Sequence, residues 1–292
     1  AAIEPEVDLL GYWIDGDRVH VGPITVGEHA RIGARSTLSP GAVVGHAAEV
    51  APGSHVLGSV TAGEFWSGSP AERQAPTLEP FLATYEALYQ GKPAGSATMQ
   101  LVRGDGPGRW RIDLTIHGER GIAGLARLNL QQSTVFDLHD GQYRPLTQAT
   151  ARKAMLFGKE VSGVYDWSTM QAHWQGDLKK ERRRPLPLQA GDMSALLINL
   201  AIMRDAVPGA TLNYRMVDLG RARDYVYQAA GEPEIMAVGD MSYDALRVAR
   251  TSSDGDQTVL WVASGVPTPI RILQRKDGED EIDLRLVEYR GV

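Results

Sequence analysis

Between residues 26 and 56 the aliphatic side chains return every six positions. Val26, Ile32, Leu38, Val44, Val50 and Val56 keep that step without a break. Six is the period of neither an α-helix nor a plain strand, whose side chains repeat every 3.6 and 2.0 residues. Two positions before each stand Ile24, Ala30, Ser36, Ala42, Ala48 and Ser54, nearly all small, and Gly27, Gly33 and Gly45 follow three of them. A parallel β-helix with three short flat faces makes this pattern, with one hexapeptide per face and about 18 residues per turn. The aliphatic side chain enters the narrow prism and stacks on its equivalent one turn away. The small residue fits the corner, where glycine permits the backbone angles. The reading is a left-handed coil over residues 1–72. Two turns run from Val26 to Val56, and Ile14 and His20 extend the register backwards towards a third. After Val60 the pattern ends in "TAGEFWSGSPAERQ". So short a coil exposes apolar ends, so the open end is expected to pack on the rest of the chain or on another subunit, making a homo-oligomer through the coil.

Charge separates the front of the chain from the rest. Residues 1–80 hold four Lys and Arg against ten Asp and Glu, the whole of the net charge of −6, and the remainder is neutral. An acidic front on a neutral body gives no general attraction to nucleic acid. The chain has no cysteine, which removes disulfides, thiolate chemistry and cysteine-ligated zinc. No apolar run approaches the roughly 20 residues that span a bilayer as a helix. The start, "AAIEPEVDLLGYW", lacks the basic and apolar stretches of a signal peptide. It also lacks an initiator Met, as a processed or cut product would.

The stretch "ITVGEHARIGARSTLSPGAVVGHAAEVAPGSHVLGSVTAGEFWSGSPA" resembles the hexapeptide-repeat acyltransferase superfamily. It most resembles the C-terminal left-handed β-helix of bacterial non-ribosomal peptide synthetases of the polylysine-synthetase kind, where the repeat also ends in a phrase like that of Trp66 to Ala71. The resemblance covers roughly residues 11–75 and implies descent from a longer β-helix. Acyltransferases of this kind use a histidine base between subunits, often beside a loop projecting from a coil, and histidine titrates near neutrality. The candidates here are His20, His29, His46 and His55, with His29, His46 and His55 the weak catalytic set. His29 and His46 are 17 residues apart rather than 18, which predicts unlike corner phases. No two of the four are expected to stack, and no loop insertion is expected to interrupt the coils. Solvated outward histidines are the plainer reading.

Prolines at 70, 76 and 80 mark a linker over residues 73–80. From residue 81 the hexad gives way to period-two alternation, the signature of strands. "FLATYEALYQGKPAGSATMQLVRG" reads as two strands turning at Gly91-Lys92-Pro93. "RWRIDLTIHG" places Trp110, Ile112, Leu114 and Ile116 on one face. "GIAGLARLNLQQSTVFDLHDGQYRPLT" adds strands with a turn at Asp140-Gly141, "KEVSGVYDWSTMQAHWQGD" another hairpin, and the last fifty residues four more strands. "GDMSALLINLAIMRDA" breaks the pattern: Met193, Leu196, Leu197, Leu200 and Met203 fall at helical spacing, with Asp192 placed to cap. The fold class expected is therefore mainly β: a short left-handed parallel β-helix, then an antiparallel open β-barrel-like domain over residues 81–292 with one helix closing a mouth.

The order of the phrases "YRPL", "YDW", "LPLQAGDMSALL", "YDALRVAR", "TVLWVA" and "PTPIRI" is similar to the bacterial domain-of-unknown-function 3108 family. The resemblance covers nearly all of residues 79–292. It implies a β-rich protein, typically exported to the periplasm, with no assigned catalytic residues. β-Helix coils stand where a member would carry a secretion signal, so a cytoplasmic location remains the alternative.

This larger part has no Gly-rich phosphate loop, nucleophile elbow or His-Glu-x-x-His. His117, His139 and His173 stand apart, and Asp137, His139 and Asp140 read as a solvated turn rather than a metal site. "KKERRR", Lys179 to Arg184, reads as an exposed hairpin tip or a patch for phosphate, lipopolysaccharide or anionic lipid. Aromatic side chains on strands suggest an apolar concavity. Tyr85, Trp167, Trp174 and Trp261 are the candidate ligand-binding residues, with Arg182 and Arg183 at its rim; ordinary core filling is the rival reading. Two functions follow. One is a bacterial envelope protein, a non-catalytic binding or structural β domain without metal or cofactor, taking an amphipathic lipid, glycolipid or envelope polymer. The other is a hexapeptide-repeat acyltransferase, or a peptide-synthetase accessory or terminal fragment, which would use acyl-CoA.

Overall fold

The computed structural model describes residues 1–46, 48–61, 63–73, 78–118, 129–139, 141–153, 158–251 and 257–291. The chain divides into two compact units, Ala1–Thr77 and Leu78–Val292. Half of the stretch read as a linker, residues 74–77, lies outside the described residues.

In the smaller unit, strands of two or three residues pair in parallel to make three faces. One face stacks Ala2–Ile3, Arg31–Ile32, Glu49–Val50 and Phe65–Ser67. The second stacks Asp8–Leu9, Thr37–Leu38 and His55–Val56. The third stacks Thr25–Val26, Val43–Val44 and Ser59–Val60. Arg31 pairs with Glu49, and Thr37 with His55, so the regular turn is 18 residues. Ile32, Leu38, Val44, Val50, Val56 and Val60 are all buried inside the prism. Ser36 and Ser54 fill corners, where the Ser36 hydroxyl donates to the Ala51 carbonyl (2.9 Å) and accepts from the Ser54 amide (3.3 Å).

The backward extension of the register differs from expectation. Ile14 and His20 lie in an antiparallel hairpin, Tyr12–Asp15 with Arg18–Val21, whose turn holds Gly16 at φ 61°. The first turn is built instead from residues 2–9 and 25–26, with the hairpin inserted between its second and third faces. Because of that insertion Ala2 pairs with Arg31, not with a residue 18 further on. The local alternation and the tight Gly16-Asp17 turn outcompeted the hexad. The coils do, therefore, carry a projecting loop. Ile3 and Leu9 at the first turn stay about half exposed.

The larger unit is one antiparallel sheet. Its strands are β1 (Phe81–Tyr89), β2 (Lys92–Arg103), β3 (Arg109–Gly118), β4 (Leu130–His139), β5 (Gln142–Lys153), β6 (Gly158–Asp166), β7 (Gln171–Gly176) and β8 (Leu186–Pro187). After helix α1 (Ala195–Asp205) come β9 (Thr211–Asp218), β10 (Arg221–Ala229), β11 (Glu234–Val238), β12 (Met241–Thr251), β13 (Gln257–Ala263), β14 (Arg271–Lys276) and β15 (Glu279–Gly291). The spatial order is β8-β7-β6-β5-β4-β3-β2-β1-β15-β14-β13-β12-β10-β9, with β11 also on β12. The first and last strands thus pair in the middle of the sheet, Phe81 against Gly291. The middle of the chain supplies both free ends.

α1 packs against β3, β4 and β5 of one arm and against β9 and β13 of the other. Only a sheet curled around the helix can offer both contacts. Leu196, Leu197, Ile198, Leu200, Ala201 and Ile202 are all buried, as a helix apolar on nearly every side must be. Alternate residues of the strands complete the core around it: Phe81, Tyr85, Met99, Ile112, Phe136 and Leu284 among them.

Two local expectations are corrected. Ser194, not Asp192, caps α1, its hydroxyl accepting from the Leu197 amide at 3.4 Å; Asp192 is taken by Arg215 and the Gln189 amide. The first hairpin turns at Gln90–Gly91, one residue earlier than read, since Lys92 already pairs with Tyr89. The "KKERRR" run lies in the loop that joins the antiparallel pair β7 and β8, as a hairpin tip does, and forms a 3-10 turn there, Lys180–Arg183.

Candidate functional site

The curled sheet brings its inward residues to a filled interior. Tyr85 has no exposure; its hydroxyl donates to the Pro269 carbonyl (2.9 Å) and bonds Thr268, and burial pushes its pKa up. Trp261 is also core, with the Arg271 guanidinium 4.7 Å from the ring centre and its indole N–H bonded to Glu234. Arg271 in turn forks onto Asp283 at 2.7 and 2.8 Å. These two candidates therefore pack the core they were read as lining.

Trp174 and Trp167 fall instead at the seam where the two arms of the sheet meet. A second apolar cluster there joins Tyr165, Ala172, Trp174, Leu188 and Val217, with Trp167 against it. Among the described residues the arms share no backbone ladder at the seam, and a single bridge joins Met193, just before α1, to Met216 of β9. Side chains do the joining. The Tyr165 hydroxyl donates to the Val217 carbonyl at 2.5 Å. The Trp174 indole, lying over Gly163, donates to the Gln148 carbonyl oxygen at 3.2 Å. The Gln148 amide reaches Asp218 at 2.5 Å and Thr150 at 3.2 Å. Asp218 also accepts from the Ala195 amide at the start of α1 (3.3 Å). Nearby, Thr134 and Ser194 share a hydrogen bond of 2.9 Å. Burial raises the Asp218 carboxyl to about 6, against the hydrogen bonds from the Ala195 amide, Gln148 and the Leu219 amide, which lower it. Trp167 donates to the Pro145 carbonyl at 2.7 Å.

On the outer face beside this seam, Ala149, Ala151, Glu160, Ser162, Gln175 and Gly176 line an open cleft of about 480 Å³. Arg183 stands at its edge, donating to the Gly176 carbonyl at 2.9 Å and the Leu178 carbonyl at 3.2 Å. Arg182 is half buried on the same turn. The aromatic and basic candidates thus divide between the core and this seam and do not converge on one cavity.

In the coil, the sequence phase argument fails for one pair. The rings of His29 and His46 meet edge to face with centroids 5.4 Å apart. Adjacent coils run so close at this corner that a Cβ on Gly27 would lie 2.6 Å from the His46 amide. Side chains one hexad position apart still reach each other there, helped by the left-handed backbone of His29 at φ 59°. His55 bonds the buried Ser39 hydroxyl through Nε2 at 2.9 Å. In the "FDLHDG" turn Arg144 forks onto Asp137 at 2.9 and 2.7 Å, and Asp140 lies outside the described residues. Among the described residues no three acidic or histidine side chains are placed to hold a metal ion.

The seam residues Gln148 and Asp218 were missed in the sequence. Gln148 and Thr150 are polar residues in an inward phase, which is a readable signal. A bulge between Val135 and Phe136 shifts the register of β5 and hides that phase.

Residues 84–285 match the model of a family described as protein of unknown function, DUF3108. The chain belongs to the DUF3108 family. No curated protein matches this DUF3108 chain. Among solved structures it is similar to a variant of AntD, an N-acyltransferase from Bacillus cereus, in complex with dTDP and coenzyme A. Identity there is 21%, over 25% of this chain and 46% of AntD, with a TM-score of 0.24; the chain spans under half the length of that relative. A β-barrel-like DUF1849 protein from Brucella abortus is 11% identical over 74% of this chain and 98% of its own, with a TM-score of 0.40. A domain from Vibrio parahaemolyticus, described as an outer membrane lipoprotein-sorting protein, is 7% identical over 74% and 86%, with a TM-score of 0.21. Among the described residues no helix is long and apolar enough to cross a membrane.

Proposed function

We propose that this DUF3108 chain is a non-catalytic β-structured protein of the bacterial envelope that works through its outer surfaces. The observation that carries this reading is the filled concavity: α1 and the inward side chains occupy the space an amphipathic ligand would need. A lipid, glycolipid or envelope polymer is then held on the outer face, in the cleft of Ala149, Ala151, Ser162 and Gln175. Its small side chains suit an acyl or sugar surface better than a buried pocket. Family membership supports export to the periplasm. The coil, with left-handed winding inferred from its hexad, supplies a rigid acidic prism and a contact for a second copy. Two measurements test the reading. Fractionation of cells carrying the tagged full chain should place it in the periplasm or envelope. Quenching of Trp fluorescence by doxyl-labelled lipid should weaken when Ala149 and Ala151 are changed to Glu. A cytoplasmic protein whose Trp emission ignores lipid would overturn it.

A second reading, acyl transfer on the coil, is favoured by two observations, the His29–His46 contact and the hairpin that projects beside the first turn. It requires turnover of acyl-CoA with amine or hydroxyl acceptors, lost in His29→Ala and His46→Ala. Absence of turnover from the intact chain removes it.

A further inference from the structure

The basic run after β7 acquires partners that the sequence places forty residues away. Its 3-10 turn, Lys180–Arg183, lies directly on the Leu219–Gly220 turn between β9 and β10. A Cβ on Gly220 would sit 2.1 Å from the Arg182 carbonyl oxygen, and Gly220 itself has φ 69°. That packing sets Arg182 beside Arg221 and Arg223, which are two apart on β10 and so share one face of the strand. Arg221 feels both neighbours: desolvation first, then the charges of Arg182 and Arg223, hold its pKa down.

Among the described residues none of the three has an ion pair, and the buried Arg182 Nε–H has no acceptor. Asp218, across the ladder from Arg221, spends its oxygens on Gln148 and the Ala195 amide. Asp224 projects from the opposite face of β10, and Glu181 is exposed on the 3-10 turn. Lys179, Lys180 and Arg184 add exposed positive charge around the cluster. Elsewhere the same unit pairs its arginines freely: Arg144 with Asp137, Arg215 with Asp192, Arg271 with Asp283. Three guanidiniums packed together without an acid repel one another, and a multivalent anion that accepts from several planar forks relieves that repulsion.

We propose that Arg182, Arg221 and Arg223 form a binding site for a phosphate group, free or carried on a lipid headgroup. This goes beyond the envelope reading and stands whether or not the cleft binds lipid. The guanidiniums would share the phosphate oxygens, Arg182 from its packed position on the 3-10 turn and the other two from the exposed strand. Affinity should fall with ionic strength, because Arg221 and Arg223 are exposed and screened.

The test uses the full chain and an Arg221→Gln/Arg223→Gln variant. Inorganic phosphate should raise the melting temperature of the wild type, with chloride at matched ionic strength as control. It should bind the double variant at least about tenfold more weakly. Without phosphate the variant should melt no lower than the wild type, since it loses repulsion and no ion pair. Vesicles of phosphatidylcholine with phosphatidic acid, against phosphatidylcholine alone, assign the source. Retention on the anionic vesicles alone makes the site a headgroup site, and a phosphate response without retention makes it a free-phosphate site. The proposal is overturned if neither probe binds, if binding survives in the variant, or if the variant melts lower with no phosphate present.

Discussion

The two units reach a closed core by opposite routes. In the coil, past the inserted hairpin, neighbours one turn away recur at the same separation along the chain: Arg31 to Glu49, Thr37 to His55, Thr25 to Val43. In the barrel-like unit the decisive contacts span most of the unit. β1 pairs with β15, Tyr85 bonds Thr268, and the sheet's two free ends are drawn together by Gln148, Asp218, Tyr165 and Val217. The coil is a one-dimensional stack whose strength adds turn by turn. The barrel is all-or-none, since its helix is covered only when both arms are in place. Local repetition leaves Ile3 and Leu9 of the coil's first turn about half exposed, whereas non-local closure leaves a filled interior.

The largest effect should come from the coil. Ile32→Asp puts a carboxylate where the side chain has no exposure, and should cost at least about 4 kcal/mol. Circular dichroism should show the loss of coil signal while the barrel's near-ultraviolet Trp bands persist. Wild-type thermal stability in this variant would mean that the stack is not there. In the barrel, Leu197→Ala should cost about 3–4 kcal/mol, because Leu197 is fully buried on α1 between the arms. Denaturant unfolding should show it as a lower midpoint for the whole barrel transition, not as a separate early step.

Asp218 sharpens the contrast through pH. An acid whose folded pKa is raised is destabilising when ionised, so its penalty is present above about pH 6 and fades as pH falls towards the ordinary 3.8. The full penalty is about 3 kcal/mol. Measured as the difference between wild type and Asp218→Asn, which cancels the other carboxylates, the wild type should gain by that order on going from pH 7 to pH 4. A difference independent of pH would remove the strain from the seam. A smaller effect, about 1–2 kcal/mol, is expected from Tyr85→Phe, which leaves the Pro269 carbonyl without its donor. The equilibrium midpoint in urea reads it.

These differences explain what could be read beforehand. The six-residue step revealed the coil because each face is set by residues a few positions apart. It misplaced the first turn because Asp15, Gly16 and Asp17 favour a hairpin, a signal as local as the hexad itself. Alternation found the strands of the barrel, and the spacing from Leu196 to Met203 found α1. Nothing local tells which strands lie next to each other in a sheet that pairs its first strand with its last. That is why Tyr85 and Trp261, correctly placed on strands, were assigned to an opening that the helix fills. The Arg182–Arg221–Arg223 cluster was half legible, as a basic run. Its other half depends on Gly220 and a packing contact between segments forty residues apart.

The claim that each unit owns a complete core is tested most directly by the fragment Leu78–Val292. All members of the barrel's two apolar clusters lie within it, and all members of the coil's cluster lie outside it. Expressed alone, the fragment should be monodisperse, with the near-ultraviolet circular dichroism of its tryptophans and a single thermal transition at the midpoint seen for the barrel in the full chain. A fragment that aggregates, or that keeps its far-ultraviolet β signal but loses the tryptophan bands, would show that the coil completes the barrel's core and would contradict the account.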